Sequence, residues 1–115
     1  MLNTDTLKKN YEFKNVLTKG KYYNGNYIDI YIKKNNKNFN YIGIAVSVKV
    51  GKAVKRNRIK RVIREVFYME NKNLKQGYNI VFVWNKKENS DNINFSIMYN
   101  EINEIFREAN IIEKD

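Results

Sequence analysis

The sequence contains no cysteine, no histidine and no proline in its 115 residues. Without cysteine the chain forms neither disulfides nor thiolate metal sites, which suits a reducing compartment. Without histidine and cysteine it also lacks the commonest general acid–base group and the thiol nucleophile. We therefore expect a cytoplasmic protein with no catalytic residue of its own.

Long apolar runs are missing as well. The N-terminal segment MLNTDTLKKNYEF has no apolar stretch of the kind that a secretory signal carries. The most apolar run, IVFVW at 80–84, is far shorter than the roughly 20 residues of a membrane-spanning helix. Acidic residues are scattered, without the close cluster that holds a pair of metal ions. We therefore assign no metal ligand on the chain and expect no membrane partner.

What the chain has in excess is positive charge. It carries 22 basic and 12 acidic residues, for a net charge of +10. The segment 49–64, KVGKAVKRNRIKRVIR, holds eight of the basic residues and no acidic one. Such a local excess favours a polyanionic partner, nucleic acid before an anionic membrane or an acidic protein.

Hydrophobic periodicity divides the first half of the chain into a helix and three strands. Apolar residues at i, i+3 and i+4 predict a helix over 7–19, with Gly20 as its C-cap. Asn24-Gly25 predicts a hairpin between two strands. The second of these strands alternates, with isoleucines on one face and the other face carrying Tyr27, Asp29, Tyr31 and Lys33. A third strand over 41–48 sends Ile42, Ile44, Val46 and Val48 to one face.

The second half of the chain predicts a helix, a strand and a helix. The first helix is best defined from Arg56 to about Glu70, after a loop in which Gly51 is a tolerable N-cap. A strand over 78–84 is apolar on both faces, a polar loop follows over 85–92, and Ser96 is a plausible N-cap for the last helix. The predicted fold is a single α+β domain over 1–115, in the order αβββαβα.

The middle helix separates apolar from basic residues around its circumference. At about 100° per residue, one arc carries Ile59, Val62, Ile63, Val66, Phe67 and Met69. The opposite arc carries Arg56, Asn57, Lys60, Arg61 and Arg64, with Arg58 near the boundary. The preceding loop and first turn add Lys49, Lys52 and Lys55. We predict that the first arc packs on the sheet and that the second meets a ligand.

Two other interpretations of this helix, a solvated face and a membrane-surface helix, fit its residues less well. A solvated helix face usually mixes charges at i, i+4, whereas no acidic residue occurs here before Glu65. Positive charge near a helix N-terminus also opposes the macrodipole, at a cost of roughly a few tenths of a kcal/mol each. A membrane-surface helix needs its apolar arc for lipid, and here that arc is needed to cover the sheet.

The segment GKAVKRNRIKRVIREVF at 51–67 resembles the signature of the bacterial ribonuclease P protein subunit. The fixed positions of that signature are all present, namely Ala53, Val54, Arg56, Asn57, Lys60, Arg61 and Arg64. The resemblance extends to FKNVLTKG at 13–20, IGIAVSVKVG at 42–51 and GYNIVFVW at 77–84, so it covers nearly the whole chain.

The resemblance implies a fold similar to a ribosomal-protein domain, with a left-handed βαβ crossover around the basic helix. It implies two partners, the catalytic RNA of ribonuclease P and the 5′ leader of precursor tRNA, and no obligate protein partner. The reaction would be endonucleolytic removal of that leader. Mg²⁺ would serve the holoenzyme and be held mainly by the RNA, and the isolated protein would be inactive.

The resemblance places the catalytic RNA on the basic helix and the leader in a cleft between the first helix and the sheet, and the residues at these two places give two predicted sets of binding residues. The helix and its approach would contact the catalytic RNA through Lys49, Lys52, Lys55, Arg56, Asn57, Arg58, Lys60, Arg61 and Arg64. A cleft between the first helix and the sheet would receive the leader through Phe13, Leu17 and Tyr31, above a floor of small residues, Gly43, Ala45 and Ser47. Asn57 has a simpler interpretation as a surface or capping amide, and Phe13 as a core residue.

Two positions depart from the family pattern. Leu17 stands where relatives often have phenylalanine, and Val48 stands where many have lysine. Both leave the leader preference open. The alternative function is a non-catalytic RNA-binding protein of ribosomal type, which would share the fold and the charge but would not bind a tRNA leader.

Overall fold

The computed structural model describes residues 4–7, 9–84 and 94–113. In chain order, its elements are β1 (Thr4–Thr6), α1 (Asn10–Lys19), β2 (Lys21–Asn24), β3 (Asp29–Lys34), β4 (Asn40–Val46), α2 (Ala53–Asn71), β5 (Tyr78–Trp84) and α3 (Phe95–Glu108). A turn of 3-10 helix, Val48–Val50, joins β4 to α2. The predicted α+β order is confirmed from α1 onward, and β1 is an additional element that periodicity does not predict. The loop predicted over 85–92 lies outside the described residues.

The five strands form one mixed sheet in the order β1-β4-β5-β3-β2. β4 runs parallel to both β1 and β5, while β3 pairs antiparallel with β5 and with β2. The two central strands β4 and β5 are joined through α2, so they form a βαβ unit. The left hand of this crossover stays a prediction.

One face of the sheet is covered by α2 and α3 and contains the main core. Phe82 at its centre lies edge-on to Phe67 of α2 and to Phe106 of α3, with ring centroids 6.1 and 6.3 Å apart. Around these rings, the fully buried residues include Ile30, Ile42, Ile59, Ile63, Ile80, Trp84, Met98 and Ile102. The predicted apolar arc of α2 therefore packs on the sheet, except for Met69, whose side chain is 52 % exposed. No helix in the described ranges has both the length and the hydropathy to cross a bilayer.

The other face of the sheet is partly covered by α1. Val16 is buried there. Phe13 and Leu17, which with Val16 are the apolar residues at i, i+3 and i+4 that predict this helix, are half-buried. A Cβ on Gly43 would lie 2.6 Å from Cε2 of Phe13. The prediction that Gly43 is an open floor for a ligand is wrong. The space left by its missing side chain is occupied by the Phe13 ring.

Three local predictions at element ends are wrong. α2 begins at Ala53 with Lys52 as its N-cap, while Gly51 (φ +154°) ends the preceding 3-10 turn instead of capping the helix. Asn94, not Ser96, caps α3, where its Oδ1 accepts the Ile97 backbone N–H at 2.9 Å. The third predicted strand ends at Val46, and Val48 is 75 % exposed instead of facing the core.

The hairpin predicted at Asn24-Gly25 is confirmed, with Asn24 paired to Asp29. Glu101 of α3 holds its loop, because the carboxylate accepts three backbone N–H groups, each at 2.8 Å, from Asn26, Tyr27 and Ile28. The hairpin is thus tied to the helical side of the domain by charge-assisted hydrogen bonds.

A buried amide joins the start of β4 to the turn after α2. The Asn40 side chain donates from Nδ2 to Asn71 Oδ1 at 3.0 Å and to the Lys75 carbonyl at 3.1 Å. Its Oδ1 accepts the Tyr78 backbone N–H at 2.9 Å. Because every polar atom of this buried amide has a partner, it stabilises the register between β4 and β5.

Candidate nucleic-acid interface

The predicted RNA-binding residues lie along the exposed side of α2 and its approach. We name this set the basic face, and it consists of Lys49, Lys52, Lys55, Arg56, Asn57, Arg58, Lys60, Arg61 and Arg64. Lys49 lies in the 3-10 turn, Lys52 is the N-cap of α2, and the others lie on the helix. Six of the nine side chains are exposed, and Lys55, Arg56 and Lys60 are half-buried.

The opposite side of α2 fixes the direction in which the basic face points. Ile59, Ile63, Val66 and Phe67 are all fully buried against the sheet and α3. Because side chains about half a turn away point outward, the arginines and Asn57 are directed to solvent. The predicted orientation of the helix is confirmed, while the contacts with RNA stay predictions.

The charges of the basic face are held by few partners. Arg56 donates from Nε to the Gly51 carbonyl at 3.1 Å, which leaves the four terminal N–H donors of its guanidinium for a ligand. Within the described ranges, the side chains of Arg58, Arg61 and Arg64 make no ion pair or hydrogen bond. Since the first turn of α2 holds no acidic residue, this end of the helix is a concentrated positive field.

A second candidate surface lies on the sheet face that α1 only partly covers. Tyr31 of β3 is half-buried there and pairs with Tyr22 of β2, whose side chain is 47 % exposed. Their ring centroids are 5.0 Å apart at 44°, and Asn24 Nδ2 donates to the Tyr22 hydroxyl at 2.7 Å. We name Phe13, Leu17, Tyr22 and Tyr31 the sheet cleft.

Tyr22 is the member of the sheet cleft that the sequence prediction missed. The turn signal does not give this register, because a two-residue turn at Asn24-Gly25 would pair Tyr22 with Tyr27. The hairpin instead pairs Asn24 with Asp29 across residues 25–28 and so places Tyr22 opposite Tyr31. Partial burial, and then the neighbouring Tyr22 and Asp29, raise the pKa of Tyr31 above the ordinary tyrosine value. Tyr31 is therefore a neutral phenol at physiological pH.

Strand register gives the distance across the sheet cleft. Tyr31, Val81 and Gly43 are direct neighbours on β3, β5 and β4, and the Phe13 ring lies on Gly43. Two strand spacings separate Tyr31 from Gly43, or about 10 Å. Phe13 and Tyr31 are thus brought to one side of the sheet, far enough apart to contact different nucleotides of one strand.

The described ranges offer no cluster of acidic residues for a metal ion. Mg²⁺ prefers oxygen ligands, chiefly carboxylates, and in these ranges no three acidic residues are placed to hold a metal ion. The basic face itself contains no carboxylate. We therefore derive no step from a metal held by this chain.

A polar cluster between α2 and α3 has its partners within the protein. Arg107 Nε donates to Asn103 Oδ1 at 2.8 Å, and Asn103 Nδ2 donates to the buried Glu70 at 2.9 Å. A hydrogen bond to Glu70 raises the pKa of Tyr99. A cavity of about 520 Å³ lies beside them. Because Arg107, Asn103 and Glu70 are hydrogen-bonded in series, we assign this cluster a structural role.

Comparison with known proteins identifies the family. The family model named Ribonuclease P matches residues 1–110. The chain belongs to the ribonuclease P protein family. It is 34 % identical over 110 residues to the ribonuclease P protein component of Natranaerobius thermophilus, covering 96 % of this chain and 94 % of that one. For the component of Fusobacterium nucleatum the identity is 38 % over 110 residues, covering 94 % and 99 %.

The fold of a solved ribonuclease P protein agrees. The Staphylococcus aureus RNase P protein superposes with a TM-score of 0.82 at 26 % identity, covering 94 % of this chain and 97 % of that one. The predicted family is confirmed, and with it the role of protein subunit of an endoribonuclease holoenzyme that partners the ribonuclease P RNA. Of the two departures from the family pattern, Leu17 lies half-buried on α1 and Val48 lies exposed beside Lys49.

Proposed function

We propose that the basic face binds the catalytic RNA of ribonuclease P and that the sheet cleft receives the 5′ leader of precursor tRNA. Through both contacts the protein promotes endonucleolytic removal of the leader. The observation that carries the proposal is the outward side of α2, where Arg58, Arg61 and Arg64 have no acidic partner within the described residues. A site of this kind is complementary to RNA phosphates.

The charge of the basic face predicts how strongly RNA binding depends on salt. Each cation that neutralises a phosphate releases counterions, so affinity falls with salt. With about five contacts and a slope of about −0.8 for each, a fourfold rise in salt weakens binding by roughly 2.4 decades. Asn57 lies among the cations and can both donate and accept, so we assign it a contact to a sugar or base edge.

The sheet cleft offers ring surfaces to an unpaired strand. Tyr22 is exposed and Tyr31 is half-buried beside it, and stacking of a base on an aromatic side chain is worth about 1–3 kcal/mol. The aliphatic Leu17 would supply a contact without stacking. Because such contacts tolerate any base, we expect capture of the leader with weak sequence preference.

The catalytic chemistry is assigned to the RNA. Mg²⁺, when bound mainly by that RNA, would supply charge neutralisation and activation of water. The basic face lowers repulsion between phosphates, so the holoenzyme would need less Mg²⁺ than the RNA alone. Because bacterial precursor tRNA is made and processed in the cytoplasm, we place the activity there.

The test is a reconstituted cleavage assay. A bacterial ribonuclease P RNA and a precursor tRNA are incubated at low Mg²⁺ with and without the chain, and leader release is followed. We expect stimulation by the chain and no cleavage by the chain alone. Absence of stimulation would overturn the proposal and favour the ribosomal-type alternative, and cleavage without RNA would overturn the assignment of chemistry.

Single-charge variants test the basic face directly. Arg61→Ala should weaken binding to the ribonuclease P RNA and lower the salt slope by about one. Lys34→Ala, which removes an equal charge at the exposed end of β3, should leave both unchanged. Equal effects of the two variants would show that binding depends on net charge instead of on α2.

A further inference from the structure

An exposed tyrosine continues the basic face toward the C-terminal end of α2. Tyr68 is 55 % exposed and follows Arg64 by four positions, so their Cβ atoms lie about 6 Å apart on one side of the helix. At about 100° per residue, Tyr68 falls between the directions of Arg64 and Arg61. Single exposed apolar residues are common, and what distinguishes Tyr68 is its position among the cations.

The ring of Tyr68 lies against a buried aromatic ring. Phe67, which is fully buried, lies edge-on to it with ring centroids 5.9 Å apart at 60°. Within the described ranges, the Tyr68 hydroxyl makes no hydrogen bond. The next residue, Met69, is 52 % exposed but points about 100° away, toward the edge of the buried arc. Only one of these two neighbouring apolar side chains therefore shares the direction of the cations.

We infer that Tyr68 is a further RNA-binding residue, which stacks on an unpaired base of the catalytic RNA next to the phosphates held by Arg64 and Arg61. The inference rests on the proposed binding of that RNA by the basic face. A tyrosine side chain brings no positive charge to a phosphate, whereas its ring matches the faces of the bases that folded RNA exposes in loops and bulges. Tyr68 thus adds a non-ionic contact about 10 Å along the helix from Arg61.

The test separates ionic from stacking contacts through salt dependence. The affinity of a bacterial ribonuclease P RNA is measured across a salt series for the full chain and for Tyr68→Ala, Tyr68→Phe, Tyr68→Leu and Met69→Ala. We expect Tyr68→Ala to weaken binding about 5- to 100-fold with an unchanged salt slope, since no charge is removed. Tyr68→Phe should bind as the parent chain does, and Met69→Ala should also be unchanged.

Each contrary outcome has one meaning. If Tyr68→Ala binds as tightly as Met69→Ala does, Tyr68 makes no RNA contact and the inference is overturned. If Tyr68→Leu keeps full affinity, the contact is apolar and stacking is overturned. Arg64→Ala serves as the separate check on the proposed function, because it should lower the salt slope by about one. If Arg64→Ala changes nothing, the basic face does not bind this RNA, whatever Tyr68 does.

Discussion

Replacing Tyr31 by alanine should weaken the binding of substrates that carry a leader more than the binding of mature tRNA. The structure places the Tyr31 ring half-buried on the sheet, with the Tyr22 ring 5.0 Å away. Loss of one base–aromatic stack costs about 1–3 kcal/mol, so we expect the Kd of a long-leader precursor to rise roughly 5- to 160-fold. Mature tRNA, which has no leader, should bind the reconstituted holoenzyme as before. Tyr31→Phe keeps the ring and serves as the matched control.

The Tyr22–Tyr31 contact makes a sharper form of this test. An aromatic pair is worth about 0.5–1.5 kcal/mol beyond its buried area, so Tyr22→Ala should disturb the position of the remaining ring. The losses in Tyr22→Ala and Tyr31→Ala should therefore not add in the double variant, with a coupling of about 0.5 kcal/mol or more. Equal losses for precursor and mature tRNA would remove Tyr31 from leader binding, and strictly additive losses would show that the two rings do not act together.

Three further predictions concern stability and pH. Asn40→Ala leaves the Tyr78 N–H without its side-chain partner, so the free energy of unfolding measured in urea should fall by about 1–3 kcal/mol. Glu101→Gln turns an amide toward backbone donors and should cost about 1–3 kcal/mol in the same assay, whereas Glu104→Gln, at an exposed position of α3, should cost nothing measurable. The raised pKa of Tyr31 means that the folded chain holds this proton more tightly than the unfolded chain. Stability from this group is therefore present below about pH 10, the unfolded value, and is lost as pH rises through the folded value. Between pH 9 and pH 11, the urea midpoint of Tyr31→Phe should fall less than that of the parent chain. An equal fall would show that Tyr31 does not cause this pH dependence.

The elements that the sequence predicts well are those with a long periodic signal. β5 begins and ends at the predicted residues 78 and 84 because its apolar run is flanked by polar residues in the sequence. The arcs of α2 are predicted for the same reason, since nineteen helical residues give the period of 3.6 several turns to accumulate. Met69 departs from its arc near the C-terminal end of α2, where the position lies at the edge of the packed surface.

The features that sequence reasoning misses depend on contacts between distant segments. β1 has three residues, too few for alternation to show, and it is a strand because it pairs with β4. The role of Gly43 follows only once α1 brings Phe13 onto the sheet. Lys52 replaces Gly51 as the cap of α2 because an intervening 3-10 turn uses the glycine at φ +154°, a conformation that local propensity does not indicate.

The connection between β4 and α2 explains how one small domain can serve two RNA contacts. β4 contributes Ala45 to the sheet face beside the cleft and leads, through Ser47, directly to Lys49 of the basic face. Side-chain hydrogen bonds help to hold this connection, since Ser47 Oγ accepts the Lys49 N–H at 3.2 Å and Arg56 donates to the Gly51 carbonyl at 3.1 Å. On the proposed function, a leader in the cleft is therefore held at a set offset from the catalytic RNA on α2. Positioning of this kind can contribute to rate without any catalytic side chain, which accords with a chain that lacks histidine and cysteine altogether.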